Sequence, residues 1–208
     1  MANAKSRLWA VGLVLVAARA GRAEPPKPQA DALVTVFTYD TAGVPQNTMS
    51  RARWVATAAF ASAGIEVRWV EGKRLREPRK VASGEMLTVV FDGPAPAHVT
   101  PQAVAFTNVG GRADADVHVF YSRVTGFWAE DRAHMPQFLG NVLAHELTHA
   151  LEGVARHSSE GLMKADWNAR DYAEMLRGPL PFAAEDLDLL RAHFKIEMPP
   201  APSLAATR

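Results

Sequence analysis

The residues best suited to do chemistry are His145, Glu146 and His149, in the run His-Glu-Leu-Thr-His. Apolar residues recur around them at helical spacing and predict a buried helix: Phe138, Leu139, Val142, Leu143, Leu147 and Leu151. Four residues of α-helix turn through about 400°, which places the two imidazoles on one face, roughly 6 Å apart along the axis. Both rings can therefore reach one zinc ion at about 2.0–2.1 Å. Glu146 points to the neighbouring face, where it could take a proton from an activated water without binding the metal.

A catalytic zinc site requires a third protein ligand and an open fourth position. Gly153 can end the helix in a left-handed turn, so that the chain reverses after it. His157 comes next and is the candidate third ligand. The run Gly161-Leu162-Met163 follows a few residues later.

The segment 138–167 resembles the metzincin clan of zinc peptidases, in which H-E-x-x-H-x-x-G-x-x-H is followed by a turn that contains a methionine. The run from His157 to Met163 is particularly similar to the corresponding segment of matrixins, and the whole segment looks like secreted bacterial metzincin-like proteins of undefined substrate. The clan places its third histidine six residues after the second, whereas His157 follows His149 by eight residues. The loop that delivers His157 is therefore longer in this chain.

This resemblance implies a site and a reaction. The implied zinc ligands are His145, His149 and His157, and Met163 is implied to pack beneath the metal without coordinating it. Glu146 is implied as the general base that deprotonates a water activated by zinc, which then attacks a peptide bond. The implied protein is a secreted zinc-dependent endopeptidase with a zincin-like α+β fold.

Two other assignments are compatible with these residues. Glu174, 25 residues after His149, could replace His157 as the third ligand, as in thermolysin-like zinc peptidases. Alternatively, the zinc has no catalytic role and only stabilises a secreted domain, in which case a fourth protein ligand closes the site. The candidates for that fourth ligand are His118, His134 and Glu160.

The N-terminus is typical of a secretory signal peptide. Lys5 and Arg7 precede an uncharged apolar run, 8–18, and small residues suited to signal peptidase follow it. This run is short for a membrane span, so we expect cleavage after residue 23 and a secreted or periplasmic protein without a membrane anchor; an uncleaved anchor is the alternative. The chain then divides into an extended proline-rich tether, a metallopeptidase domain and a disordered tail, predicted at 24–32, 33–197 and 198–208.

Charge and cysteine content limit the partners and the sources of stability. The chain has 23 basic and 22 acidic residues, and four of the basic residues lie in the segment 1–23, so the mature chain carries a net negative charge. No basic excess remains for nucleic acid, and the expected partner is a protein or peptide substrate of a monomeric enzyme. There is no cysteine, so an exported form must be stabilised by packing and by the metal instead of by disulfides.

The remaining patterns predict the elements that position the site. Alternating or β-branched runs predict strands at 33–39, 65–70, 86–91, 103–108 and 115–121. Further helices are predicted from Asn47 or Thr48 to Ala63, from 167 to 176 after an Asp166 cap, and from 184 to 194. Trp54 is expected on the buried side of the first of these helices, and a loop is expected at 126–136. The element order predicts a mostly parallel sheet, and the resemblance implies a twisted mixed sheet with helices.

The short segment 103–108 is predicted to form an exposed sheet edge above the cleft. It precedes the Gly110-Gly111 turn and resembles the edge strand of the metzincin sheet. Backbone amides at such an edge could hold an extended peptide as an additional strand.

Overall fold

A computed structural model describes residues 32–72, 83–97, 99–109 and 117–196. The predicted signal peptide and tail, the predicted tether up to residue 31, and the predicted Gly110-Gly111 turn lie outside the described residues. Within those described ranges, no helix is both long enough and apolar enough to cross a membrane.

In the described part of the chain, five strands form one mixed sheet with helices packed beside it. The strands are β1 (Leu33–Asp40), β2 (Glu66–Glu71), β3 (Glu85–Asp92), β4 (Ala105–Thr107) and β5 (Val117–Phe120). Their spatial order is β2-β1-β3-β5-β4. The pairs β1–β2, β1–β3 and β3–β5 are parallel, and β4 runs antiparallel to β5 at the edge of the sheet. The predicted α+β fold with a twisted mixed sheet is confirmed, and the segment predicted as an edge strand does form the edge.

The helix that carries the two histidines is the central helix of the fold. The helices are α1 (Gln46–Ser62), α2 (Tyr121–Phe127), α3 (Met135–Glu152), α4 (Ala169–Met175) and α5 (Ala184–His193). α3 contacts α1, β4, α4 and α5, and most of its residues are buried. Pro136 lies in its first turn, where a missing amide removes no helical hydrogen bond. Gly153 ends the helix with φ 66°, the left-handed turn that the sequence predicts.

α1 and α3 approach each other closely because the residue at their contact is a glycine. A Cβ atom added to Gly140 on α3 would lie 2.5 Å from Cβ of Val55 and 2.7 Å from the carbonyl oxygen of Ala52, both on α1. Both distances are shorter than any van der Waals contact between these atoms. The absent side chain therefore allows the α1 backbone to pack directly on α3.

The position of Trp54 and the start of α1 differ from the sequence prediction. Trp54 was expected to be buried, but it is 67% exposed. The buried stripe follows residues at helical spacing that include Ala52, Val55, Ala56, Ala59 and Phe60. Trp54 lies off that stripe because close contact with Gly140 requires small side chains at the helix–helix interface. The helix also begins at Gln46, before the predicted caps Asn47 and Thr48.

Two other helix boundaries differ from the prediction. The strand predicted to reach residue 121 ends at Phe120. The unpredicted helix α2 begins at Tyr121 and extends into the loop expected at 126–136. Its residues Tyr121 and Val124 are both buried, a spacing of three that a helix places on one face and a strand does not. α4 is capped by Asn168 and not by Asp166. The Asn168 side chain accepts hydrogen bonds from backbone amides in the first turn of the helix. In return, the Asp171 carboxylate accepts a hydrogen bond from the backbone amide of Asn168 at 2.7 Å.

We predict that Gly140→Ala destabilises the protein without altering the histidines. The added methyl group must push against a backbone carbonyl and Val55, so the free energy of unfolding should fall by about 1–3 kcal/mol despite the better helix propensity of alanine. Chemical denaturation of both proteins measures this difference.

The matched control is Gly126→Ala in α2, where an added Cβ meets no atom within 4 Å. That change should be neutral or stabilising by up to about 1 kcal/mol. Equal effects of the two substitutions would contradict the close packing of α1 on α3.

Candidate metal centre

The three histidines singled out by the sequence lie together at the C-terminal end of α3. His145 and His149 belong to the helix, and His157 belongs to the loop that follows it. One ring nitrogen from each lies within 4.8 Å of the others, and the Nε2 atoms of His145 and His149 are 3.0 Å apart. Ligands held tetrahedrally at 2.0–2.1 Å are about 3.4 Å apart, so the three rings fit one zinc ion. Among the described residues, no other group of three or more His, Asp or Glu side chains is close enough to share a metal.

Backbone carbonyls fix the tautomers of the two helix histidines. His145 Nδ1 lies 2.9 Å from the carbonyl oxygen of Leu162, and His149 Nδ1 lies 3.1 Å from that of Val154. A carbonyl can only accept, so each Nδ1 carries the proton and donates it. Each Nε2 is left with a free lone pair, and the two Nε2 atoms face each other. The backbone therefore selects the tautomer that a metal ion requires.

Burial keeps these two rings neutral. Loss of solvent lowers the pKa of His145 to about 4, and it lowers the pKa of His149 to about 4 with a further contribution from His145. At neutral pH both rings are unprotonated, which is the state in which imidazole binds a metal. Neutral imidazoles in a tetrahedral arrangement are a donor set typical of zinc.

A buried ionic network holds the loop that carries His157. Asp186 in the first turn of α5 has no exposed surface, and its Oδ1 accepts hydrogen bonds from Arg156 Nη2 at 2.5 Å and from Ser158 Oγ at 2.6 Å. Arg156 also pairs with Glu152 in the last turn of α3. The residues on both sides of His157 are therefore tied to α5 and α3, while the His157 ring itself remains exposed.

The turn that contains Met163 supplies the carbonyl that orients His145. Gly161 enters this turn with φ 72°, and a Cβ atom there would lie 2.3 Å from the carbonyl oxygen of Pro181. The amide of Leu162 donates to that same carbonyl at 2.8 Å. Met163 follows and is fully buried, so packing and hydrogen bonds together fix the position of the Leu162 carbonyl.

Glu146 directs its carboxylate toward the edge strand of the sheet. Oγ1 of Thr107 in β4 lies 2.6 Å from Glu146 Oε2 and 3.0 Å from the Glu146 carbonyl oxygen. Burial raises the pKa of Glu146, and the hydrogen bond from Thr107 opposes that increase. A buried carboxylate beside a candidate metal centre is a candidate for exchanging a proton with water there.

A cleft of about 460 Å³ opens beside the centre. His145, Glu146 and His157 line it on one side, and Ala105 of β4 also contributes to its wall. The rest of the lining includes an apolar, largely aromatic group: Phe127, Phe138, Val142, Trp167 and Tyr172. The candidate metal centre therefore faces a cleft between the sheet edge and an aromatic wall.

Glu174, the alternative third ligand, does not reach the centre. Its carboxylate pairs with Arg170 at 3.0 Å on the surface of α4. It also lines a separate cavity that contains none of the three histidines. The expectation of a thermolysin-like site is therefore wrong for this chain, because α4 directs Glu174 away from His145 and His149.

The three candidates for a fourth protein ligand also lie elsewhere. His118 pairs with Asp92 and His134 pairs with Asp131, each through Nδ1 at 2.6 Å. Glu160 is exposed and lines the cavity that contains no histidine. None of the three belongs to the His145–His149–His157 group.

Three residues of the site were not predicted from the sequence, namely Thr107, Arg156 and Asp186. Asp186 stands in the first turn of a predicted helix, where an acidic residue is ordinarily a capping residue. Thr107 belongs to the predicted edge strand, but nothing in its type or spacing indicates a contact with Glu146. Arg156 lies in a loop and carries no local signal.

Comparison with known proteins assigns the fold. No protein-family model matches the sequence, and no curated protein has a significantly similar sequence. The structure is similar to archaemetzincin from Methanopyrus kandleri, with a TM-score of 0.52 and 15% sequence identity over 79% of this chain and 96% of that chain. It also matches myroilysin with a TM-score of 0.42 and 12% identity, over 83% of this chain and 97% of that chain. The fold is zincin-like.

We predict that Asp186→Ala loosens the loop that carries His157. Removal of the carboxylate leaves Arg156 and Ser158 without their buried acceptor, so the free energy of unfolding should fall by about 2–4 kcal/mol. Zinc affinity should fall with it, because one of the three imidazoles is no longer held in place. Denaturation in the presence and absence of zinc and competition with a chromogenic chelator measure the two effects.

The control is Asp188→Ala, which removes an exposed carboxylate from the same helix. Its stability and zinc affinity should match those of the wild-type protein. If Asp186→Ala binds zinc as tightly as Asp188→Ala does, the network does not position His157.

Proposed function

We propose that this chain is a zinc-dependent endopeptidase, with His145, His149 and His157 as zinc ligands and Glu146 as the general base. The observation that carries the proposal is the convergence of the three imidazoles beside a carboxylate of raised pKa, at the wall of an accessible cleft. The zincin-like fold supports it, since it gives the centre a sheet edge beside which a peptide can lie.

The residues present account for each requirement of peptide hydrolysis. His145, His149 and His157 would hold the zinc ion, which when bound would supply Lewis-acid chemistry that acidifies water and polarises a peptide carbonyl. Glu146 takes the proton of the attacking water and then donates it to the leaving amine. Burial of this carboxylate favours the first transfer because it increases the affinity of the group for a proton.

The sheet edge and the cleft suit an extended peptide. Among the described residues β4 pairs with β5 on one side only, so a peptide could add to its other side as a further strand. Thr107 at the end of β4 contacts Glu146, so a chain bound along β4 passes close to the general base. The aromatic wall of the cleft offers a surface for an apolar side chain of that peptide.

The structure offers little support for a zinc ion that only stabilises the fold. Such a site requires a fourth protein ligand, and no described Asp or Glu, nor any other described His, joins the three histidines. An open fourth position at the wall of a cleft is the arrangement that catalysis requires.

We further propose that the enzyme is exported and acts as a monomer. The N-terminal sequence has the charge and apolar pattern of a secretory signal. The mature chain carries a net negative charge, which supports a protein or peptide substrate over nucleic acid.

We predict that Glu146→Gln abolishes most of the peptidase activity but retains zinc. Glutamine keeps the size and the hydrogen bonding of the side chain but cannot accept the proton, so cleavage of casein should slow at least about 10²-fold. Elemental analysis should still give one zinc per chain, and the melting temperature should change little. His149→Ala should instead lose zinc, activity and stability together, because metal binding is coupled to folding.

Two outcomes would contradict the proposal in different ways. A Glu146→Gln protein that cleaves casein at the wild-type rate removes Glu146 from the mechanism. A wild-type protein that holds one zinc yet cleaves none of a varied set of unstructured proteins and peptides favours a structural zinc.

A further inference from the structure

Within the described part of the chain, Thr107 is the one residue of the sheet edge whose side chain hydrogen-bonds to Glu146, the proposed general base. Its Oγ1 lies 2.6 Å from Oε2 of Glu146 and 3.0 Å from the Glu146 carbonyl oxygen. The two residues are 39 positions apart in the sequence, and the contact joins β4 to α3. Both side chains are at least partly buried.

The direction of this hydrogen bond follows from the chemistry of the two groups. An ionised carboxylate only accepts hydrogen bonds, so the Thr107 hydroxyl is the donor. A hydroxyl has one proton, and the shorter contact is the one to Oε2, which makes the carboxylate its main acceptor. Hydrogen bonds from a neutral donor to a charged acceptor are stronger than those between neutral groups.

This contact distinguishes the two oxygens of the carboxylate. Oε2 accepts the hydrogen bond from Thr107, so Oε1 is the oxygen that would receive a proton from a water in the cleft. Without the hydroxyl, the Glu146 side chain could rotate, and either oxygen or neither could face the water. General-base catalysis depends on this alignment, because the proton has to move across a hydrogen bond of about 2.6–3.2 Å.

We propose that Thr107 is a positioning residue that orients Glu146 from the strand along which the peptide binds. The inference rests on the proposed function and extends it, because it links occupancy of the sheet edge to alignment of the base. Ala105 lines the cleft two residues earlier in the same short strand. A peptide that adds to β4 restrains the backbone that carries Thr107, and through the hydroxyl it restrains Glu146.

The test compares Thr107→Val, which keeps the shape of the side chain but removes the hydroxyl, with Thr107→Ser, which keeps the hydroxyl. A matched control is Thr41→Val, at a position far from the three histidines in sequence. This change also removes a threonine hydroxyl, which donates a hydrogen bond to the carbonyl oxygen of Phe91 at 2.9 Å. The zinc content and melting temperature of every variant are measured first. If Thr107→Val does not fold, Thr107→Ala replaces it.

With casein as substrate, Thr107→Val should lower kcat about 10-fold or more, the loss expected when a hydrogen bond to a charged group is removed. KM and zinc content should match those of Thr41→Val, and Thr107→Ser should restore most of kcat. In the Glu146→Gln background, Thr107→Val should have no further effect on kcat, because the group that it orients is no longer a base.

A second readout does not require turnover. Acetohydroxamic acid would bind the metal through its two oxygens as the hydroxamate anion, and the proton lost from its N–OH group would move to the neighbouring carboxylate. Its affinity for the cobalt-substituted protein, followed by the visible spectrum of the metal, should fall with Thr107→Val and recover with Thr107→Ser. In the Glu146→Gln background the affinity should not depend on residue 107.

The positioning role is overturned if Thr107→Val behaves as Thr41→Val does in both assays. It is also overturned if Thr107→Ser is as defective as Thr107→Val, or if the loss persists in the Glu146→Gln background, since each of these results indicates a packing effect alone. A wild-type protein that binds metal but has no peptidase activity refutes the proposed function. The hydroxamate affinities then decide the role of Thr107 separately.

Discussion

The site depends on one geometric constraint: two imidazoles four residues apart on a helix must both direct Nε2 to a common point. Helical spacing brings the rings of His145 and His149 together but does not choose their tautomer. The choice is made by carbonyls from two segments that follow α3, at Val154 and Leu162. The chain after the helix therefore has to reverse twice and remain fixed, and Gly153 and Gly161 provide the left-handed turns that allow it.

Because of this constraint, the polar residues around the centre are fixed by packing and by buried hydrogen bonds. α3 is buried between α1, the sheet edge and the C-terminal helices, so the histidines have little freedom and remain neutral. Asp186 is fully buried and binds the loop that carries His157, and Thr107 donates a hydrogen bond to Glu146. Buried polar groups are costly unless they are hydrogen-bonded, and here the bonds that satisfy them also fix the geometry of the site.

The parts of the site that could be predicted from the sequence are those set by local geometry. The spacing of His145 and His149 and the glycine that ends α3 both act within one or two helical turns, and the structure places them as the sequence indicates. The contacts of Arg156 with Asp186 and of Thr107 with Glu146 span 30 and 39 residues, so no local pattern signals them. Trp54 was misplaced for a related reason, since an alanine-rich helix has no single apolar stripe and its contact with Gly140 decides which face is buried.

The most direct test of the account is X-ray absorption at the zinc edge of the wild-type protein and of His157→Ala. For the wild type we expect three imidazole nitrogens and one exchangeable oxygen, all at about 2.0–2.1 Å from the metal. His157→Ala should lose one imidazole from the coordination shell, because this residue lies with His145 and His149 in the structure. A wild-type spectrum with two imidazoles and a carboxylate, or with four ligands from the protein, would contradict the account.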